Sequence, residues 1–230
     1  MILEYPYHLI FYKQVCSYDL SQHKYQVLDN AISYDLANFC FNYFLLKRDA
    51  VKYMYENNII AQNGLHGTWT DQQVPGSYSI YADHVMETLL MKMLPIMKER
   101  TGLDLIPTYS YARVYEKGAI LKRHKDRPSC EISTTLNLGG DLWPIYIDPT
   151  GSNNVIDEYK NIHKPNAPPG VKVTLKPGDM LIYSGCELEH WREPFEGNVC
   201  GQVFLHYNHR NGRFAESNLY DKRPLLGIPK

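Results

Sequence analysis

The chain has 230 residues, with 24 Lys+Arg against 25 Asp+Glu and a formal net charge of -1. Hydrophobic residues make up 44% and charged residues 21%, a globular balance that excludes a disordered tail, a coiled coil or a collagen-like rod. The length suits one domain whose core needs no disulfide or metal to hold it, and the near-zero charge leaves no global footprint for nucleic acid or an anionic membrane.

The opening stretch, MILEYPYHLIFYKQV, has an acid at position 4 and no basic region ahead of an apolar run, so no signal peptide is expected there. No apolar stretch approaches the roughly 20 residues needed to cross a bilayer, so no membrane partner is expected either. Five cysteines (Cys16, Cys40, Cys130, Cys186, Cys200) are odd in number and include no CxxC. They read as packed thiols in a reduced, cytoplasmic setting. The 19 tyrosines suit strands, and also pockets where an apolar ring must end in a hydroxyl.

Between residues 30 and 58, Leu36, Phe39, Cys40, Tyr43, Phe44, Val51, Met54 and Tyr55 recur at near-helical spacing, and Asn57-Asn58 closes the run. Residues 59–78 hold Gly64, Gly67, Pro75 and Gly76 and read as a long loop with one strand at its end. Loops of that length often cover sites, which makes Trp69, Gln72, Gln73 and Tyr78 candidates to enclose a substrate, with Trp69 equally suited to anchoring the loop. A second helix follows Asp83 as N-cap, with Val85, Leu89, Met93, Ile96 and Met97 as its stripe and Gly102 at its C-terminus. Pro95 should kink that helix or end it early.

Beyond Gly102 the texture changes. Thr108–Tyr115, Glu131–Leu138, Trp143–Ile147, Val171–Leu175, Met180–Tyr183 and Cys200–Tyr207 are short, aromatic and β-branched, with turn residues between them. This predicts an α+β chain with a mainly β core, a sandwich or jelly roll, and N-terminal helices packed on one of its sheets. The helices fall in roughly 15–102. The divisions expected are a helical N-terminal extension over 1–104, a β core over 105–210 and a tail over 211–230, with 148–170 as loop.

His124-Lys125-Asp126 is the one histidine with a carboxylate two positions on. On an extended backbone those two side chains share a face. By spacing alone a surface His beside an exposed Asp fits as well. His190, just past the apolar strand Met180–Tyr183, adds a second imidazole from the same β-rich core. Two imidazoles and one carboxylate can take one face of an octahedral ion, as in non-haem Fe(II) oxygenases, and leave three positions open.

The ordered set Tyr115-Glu-Lys-Gly118-Ala-Ile-Leu121-Lys-Arg-His124-Lys-Asp126, Lys176-Pro-Gly-Asp179-Met-Leu-Ile-Tyr183, Glu189-His190-Trp191-Arg192 and Gln202-Val-Phe-Leu-His206-Tyr207 resembles the Fe(II)/2-oxoglutarate dioxygenases. The likeness is to their prolyl 4-hydroxylase-like branch, which includes versions carried by phages, and it covers about residues 105–210. It implies a double-stranded β-helix (cupin-like jelly roll) with His124, Asp126 and His190 as metal ligands and catalytic residues. The cofactors implied are Fe(II), 2-oxoglutarate and O₂, with ascorbate as an optional reductant. The activity implied is hydroxylation of an unactivated C–H bond on a peptide, protein or free amino acid, prolyl first, in the host cytosol if the chain is phage-encoded. The protein part of such a site positions and encloses; the cofactor does the difficult chemistry.

In that family the distal carboxylate of 2-oxoglutarate commonly meets an Arg or Lys about ten residues after the second histidine, where this chain reads Glu196-Gly-Asn-Val-Cys-Gly-Gln202 and has no base. The substitutes, in order, are Tyr115, Arg192, Arg113 and Gln202, with Asn137 a weaker fifth. Tyr115 stands nine residues before His124, as does a cosubstrate-contacting tyrosine in the alkylated-DNA-repair dioxygenases. Arg192 could instead form a surface salt bridge with Glu189 or Glu193. Lys122, Arg123, Lys125 and Arg127 bracket the metal pair and read as a solvated rim. A Cys186/His190 thiol nucleophile lacks an orienting group, and His206 with His209 lacks the further ligands of a zinc site. Two other functions stay open. A nucleic-acid demethylase of the same fold has the basic rim in its favour, though the overall charge makes nucleic acid an unlikely partner. A non-enzymatic jelly-roll binding module would keep its histidines for structure.

Overall fold

The computed structural model describes residues 24–230; Cys16, the opening stretch and the first expected helical residues lie outside it. The elements are β1 (Tyr25–Leu28), α1 (Tyr34–Glu56), β2 (Tyr78–Tyr81), α2 (His84–Thr101), β3 (Leu105–Glu116), β4 (Leu121–His124), β5 (Ile132–Gly140), β6 (Ile145–Ile147), β7 (Val155–Asp157), β8 (Ile162–His163), β9 (Val171–Val173), β10 (Met180–Ser184), β11 (His190–Arg192), β12 (Val199–His209) and α3 (Ala215–Asn218). All pairings are antiparallel. A six-stranded sheet, β1-β10-β5-β12-β3-β2, faces a four-stranded sheet, β4-β11-β6-β9, and β7-β8 forms a separate hairpin. This is the jelly roll expected from the strand pattern, with the two long helices on the outer face of the larger sheet.

Alternation along each strand sorts side chains between two layers. Ala112, Val114, Leu136, Leu138, Met180, Ile182, Val203 and Leu205 join Phe44, Leu90, Met93 and Met97 in the helix–sheet core. Their neighbours Tyr109, Tyr111, Arg113 and Tyr115 pair in register with His206, Phe204, Gln202 and Cys200, and this row carries the polar chemistry between the sheets. Both helices begin as expected. Ser33 Oγ accepts from the Leu36 N–H and Asp83 Oδ1 from those of Val85 and Met86. Asp83 Oδ2 also accepts from Tyr43 and Lys47, tying α1 to α2. Gly139 and Gly201 face each other across β5 and β12, and a Cβ on either would fall within 2.7 Å of the Phe41 ring. The bare backbone lets α1 sit close.

Several expectations are corrected. Pro95 does not end α2, which runs on to Thr101 and its left-handed Gly102 cap; Pro95 and Met91 are both exposed, so the carbonyl that loses its N–H partner meets water. Phe39 points to solvent rather than into the helix stripe. Residues 25–28 form an edge strand, not helix. The stretch 148–170 carries the β7–β8 hairpin, and the residues past 210 form α3 and a 3₁₀ turn (Leu219–Lys222) rather than a bare tail. Among the described residues no helix is long and apolar enough to cross a membrane.

Candidate functional site

His124 ends β4 and His190 begins β11, directly opposite in register, with ring centroids 4.3 Å apart. Asp126 follows β4 in a loop pinned by its N–H to the Gly185 carbonyl (2.9 Å). Its Oδ1 lies 3.6 Å from His124 Nε2 and 3.5 Å from His190 Nε2. The three residues the sequence singled out therefore converge from two segments, the end of β4 with the loop after it and the start of β11.

Each imidazole is held from behind: His124 Nδ1–H donates to the Lys122 carbonyl (2.7 Å) and His190 Nδ1–H to that of Leu188 (3.0 Å). Both Nε2 lone pairs thus face the cluster, the tautomer a metal ligand needs. Ser133 Oγ donates to Asp126 Oδ2 at 2.8 Å, leaving Oδ1 for the cluster. Burial alone would push the Asp126 carboxyl up, but with the imidazoles of His190 and His124 protonated, as an ion-free site allows, it lies well below the usual carboxylate range. An ion bound at about 2.1 Å puts neighbouring ligand atoms about 3 Å apart, so spacings of 3.5–3.6 Å close around one with small side-chain movements. Two nitrogens and one oxygen suit a first-row ion with open positions.

These residues line a cavity of ≈340 Å³ with Asp71, Gln73, Tyr81, Tyr109, Tyr111, Tyr115, Tyr183, Phe204 and His206. Of the loop candidates, Gln73 reaches it. Its amide N–H donates to His124 Nε2 (3.1 Å) and its Oε1 accepts from Arg113 (3.2 Å). Trp69 instead anchors the loop, its ring 4.7 Å from that of Tyr78 and 6.1 Å from that of Tyr55. Gln72 is exposed and Tyr78 is buried beneath the loop. Asp71, which pairs with Arg113 at 2.5 Å and accepts from Tyr111, was not singled out from sequence; an acid in a polar loop carries no signal.

The five candidate cosubstrate residues separate clearly. Arg192 is 1% exposed. Its Nη1 donates to the Trp143 carbonyl and its Nη2 to Thr135 Oγ1 (3.2 Å), while its Nε has no partner. Burial lowers its pKa, and among the described residues no carboxylate pairs with it. The surface salt bridge is therefore excluded, and Glu189 bonds Arg123. Tyr115 is fully buried, its hydroxyl unpartnered, in the field of Arg113 and Arg192. Arg113 is offset by Asp71. Gln202 accepts from Thr135 (3.1 Å) and donates to Cys200 Sγ (3.2 Å). Asn137 donates to the Leu175 carbonyl (2.6 Å); of the five, Tyr115 alone lines the cavity, with Arg192 buried behind it.

The basic rim also needs correction. Arg123 is buried, bonding Glu189 at 2.7 Å and Asp148 at 2.5 Å, and Arg127 pairs with Asp221 at 2.8 Å. Burial pushes the Cys186 thiol up to about 12, opposing a thiol nucleophile. A second group, Asp126, Cys130 and His206, shares Asp126 with the first, but burial holds the Cys130 thiol well above its ordinary range and so protonated.

His206 makes a pH prediction. Burial pushes its imidazole down to about 4 from 6.5. Between those values the unfolded chain binds a proton that the folded chain does not, so stability falls as pH falls through 6.5 and levels off below 4. Urea unfolding of the parent and of His206→Gln should show the parent losing about 2 kcal/mol relative to the variant between pH 7 and pH 5. A pH-independent difference would show that the imidazole is not buried neutral.

No family model and no curated protein matches the chain. Solved structures do match its fold. A Pseudomonas putida prolyl-4-hydroxylase superposes with a TM-score of 0.55 at 17% identity, over 84% of this chain and 96% of its own. HygX from Streptomyces hygroscopicus, with nickel, 2-oxoglutarate and hygromycin B bound, superposes with a TM-score of 0.56 at 13% identity, over 85% and 86%. The non-heme α-ketoglutarate-dependent epimerase SnoN from nogalamycin biosynthesis gives 0.59 at 10% identity, over 91% and 88%. The double-stranded β-helix is thus shared with proteins whose chemistries differ.

Proposed function

We propose that the chain is an Fe(II)- and 2-oxoglutarate-dependent oxygenase that hydroxylates an unactivated C–H bond of a peptidyl or free amino acid, prolyl first by its likeness to the Pseudomonas putida enzyme. One observation carries the reading: two imidazole nitrogens and one carboxylate oxygen from two distant segments converge, with both outer ring nitrogens tied to carbonyls. His124, Asp126 and His190 would hold the iron. With 2-oxoglutarate and O₂, that centre supplies the oxidising power for hydroxylation, coupled to release of succinate and CO₂.

The chain's own residues do the rest. The Lys122 and Leu188 carbonyls fix the tautomers, and Ser133 orients Asp126. Arg192, with the Tyr115 hydroxyl beside it, takes the distal carboxylate of 2-oxoglutarate, since a buried guanidinium without an acid is costly until an anion reaches it. Tyr81, Tyr109, Tyr111 and Phe204 give the substrate an apolar wall and limit water access.

The test is succinate release by purified protein with Fe(II), ascorbate and 2-oxoglutarate, with prolyl peptides, free proline or a methylated oligonucleotide added. Succinate that depends on iron and rises with a prolyl or other amino-acid substrate is expected. Turnover stimulated only by the oligonucleotide, with salt-sensitive binding, would move the assignment to nucleic acid. A protein that takes up no iron and forms no succinate would be a binding module instead.

A further inference from the structure

Residues 213–230 belong to neither sheet, yet a carboxylate among them grips the loop that carries Asp126. Asp221 is 1% exposed. Arg127 Nη1 donates to its Oδ1 (2.8 Å) and Nη2 to its Oδ2 (2.9 Å). Ser129 Oγ donates to Oδ1 at 2.7 Å, and the Tyr81 hydroxyl and Lys230 Nζ each donate to Oδ2 at 2.7 Å. Arg127 Nη1 also donates to Ser129 Oγ (2.7 Å). One acid therefore ties β2, the C-terminal residue and two positions of the 127–129 turn together.

The backbone that presents this acid is left-handed at three successive residues, with φ of 49° at Tyr220, 55° at Asp221 and 65° at Lys222. Non-glycine residues stay in that region only where surrounding contacts over-determine them, and such strain gathers at functional places. The segment is fastened a second time: Glu87 of α2 accepts from Arg223 Nη2 (2.6 Å) and Nη1 (3.2 Å), and from the Gly227 N–H. Asp126 itself lies in no strand. Between the end of β4 and the 3₁₀ turn Pro128–Cys130, its place depends on the Gly185 and Ser133 bonds and on the turn that follows it.

We infer that Asp221 is a positioning residue for the metal centre, acting through Arg127 and Ser129 to hold the Asp126 loop, so that residues 213–230 serve as a strap for the site. This rests on reading His124, Asp126 and His190 as metal ligands. Partners bonded directly to a ligand typically set 10–100-fold in metal affinity; Asp221, one contact further out, is expected at the low end of that range.

The test is titration of the full metal-free chain with Co(II), followed by its visible absorption bands, for the parent, Asp221→Asn, Arg127→Gln and Leu90→Ala. Leu90→Ala removes side-chain packing from the helix–sheet core, away from the site. Asp221→Asn is expected to bind Co(II) at least ten-fold more weakly than the parent and with altered bands, at a temperature where circular dichroism shows it folded. Arg127→Gln, which cuts the same link at a half-exposed residue, should weaken binding likewise and serves if Asp221→Asn does not fold. Leu90→Ala should lower the melting midpoint but keep Co(II) affinity within about two-fold of the parent. Parent-like Co(II) binding by the folded Asp221→Asn or Arg127→Gln protein, or equal weakening in Leu90→Ala, would overturn the positioning role and leave the iron reading standing. A parent that binds no Co(II) would sink the iron reading, and this role with it.

Discussion

Arg192→Leu is expected to raise the 2-oxoglutarate concentration for half-maximal turnover about 100-fold or more, while the variant resists urea at least as well as the parent. The two effects have one cause. In the parent, a guanidinium is buried at 1% exposure with two neutral acceptors and no acid. Taking a charge out of water costs several kcal/mol, and replacing such a group with an apolar one of similar size is often neutral or stabilising. Losing one partner of a buried charge pair costs about 2–5 kcal/mol of binding, or roughly 30- to several thousand-fold in affinity. Urea midpoints and the dependence of succinate release on 2-oxoglutarate would be measured together. A variant that loses stability and keeps its cosubstrate affinity would show Arg192 to be a structural residue and return the role to Tyr115 or Arg113.

His124→Ala should lose metal affinity by on the order of 100-fold or more, since even outer-shell changes cost 10–100-fold, and succinate formation should fall to background. The same change takes the 3.1 Å acceptor from the Gln73 amide, but Gln73 is exposed and water can replace it, so the accompanying stability loss is about 1 kcal/mol or less. Iron content after anaerobic reconstitution, with circular dichroism as the check on folding, separates the two effects. His124→Gln keeps hydrogen-bonding capacity near Gln73 and should recover part of the stability without the metal. Undiminished iron in either variant would remove His124 from the centre.

The strands that build the core were legible because they alternate and end in turn residues. Ala112 and Val114 face the helices while Tyr111, Arg113 and Tyr115 face inward, and Lys117-Gly118 or Pro177-Gly178 marks the reversals. The proposed metal residues were legible because chemistry requires those types, although only the His124–His190 register makes the two segments neighbours. The rest was hidden for definite reasons. β11 is three residues long, so no periodicity shows it. Arg123 looks like a surface base until Glu189, Asp148 and Asn154 gather around it from distant positions. Asp221 lies in a stretch whose composition promises no structure, and its proposed role runs through Arg127 and Ser129, 94 and 92 residues away.

Placing both His190 and Arg192 on β11 has a geometric corollary. Two residues along a strand advance the backbone by only about 6.6 Å, and β11 is clamped on both sides, Trp191 pairing with Tyr146 across the sheet and stacking on its ring at 5.6 Å. On the proposed reading, iron holder and anion holder then share one strand, which fixes how far apart their backbone anchors stand.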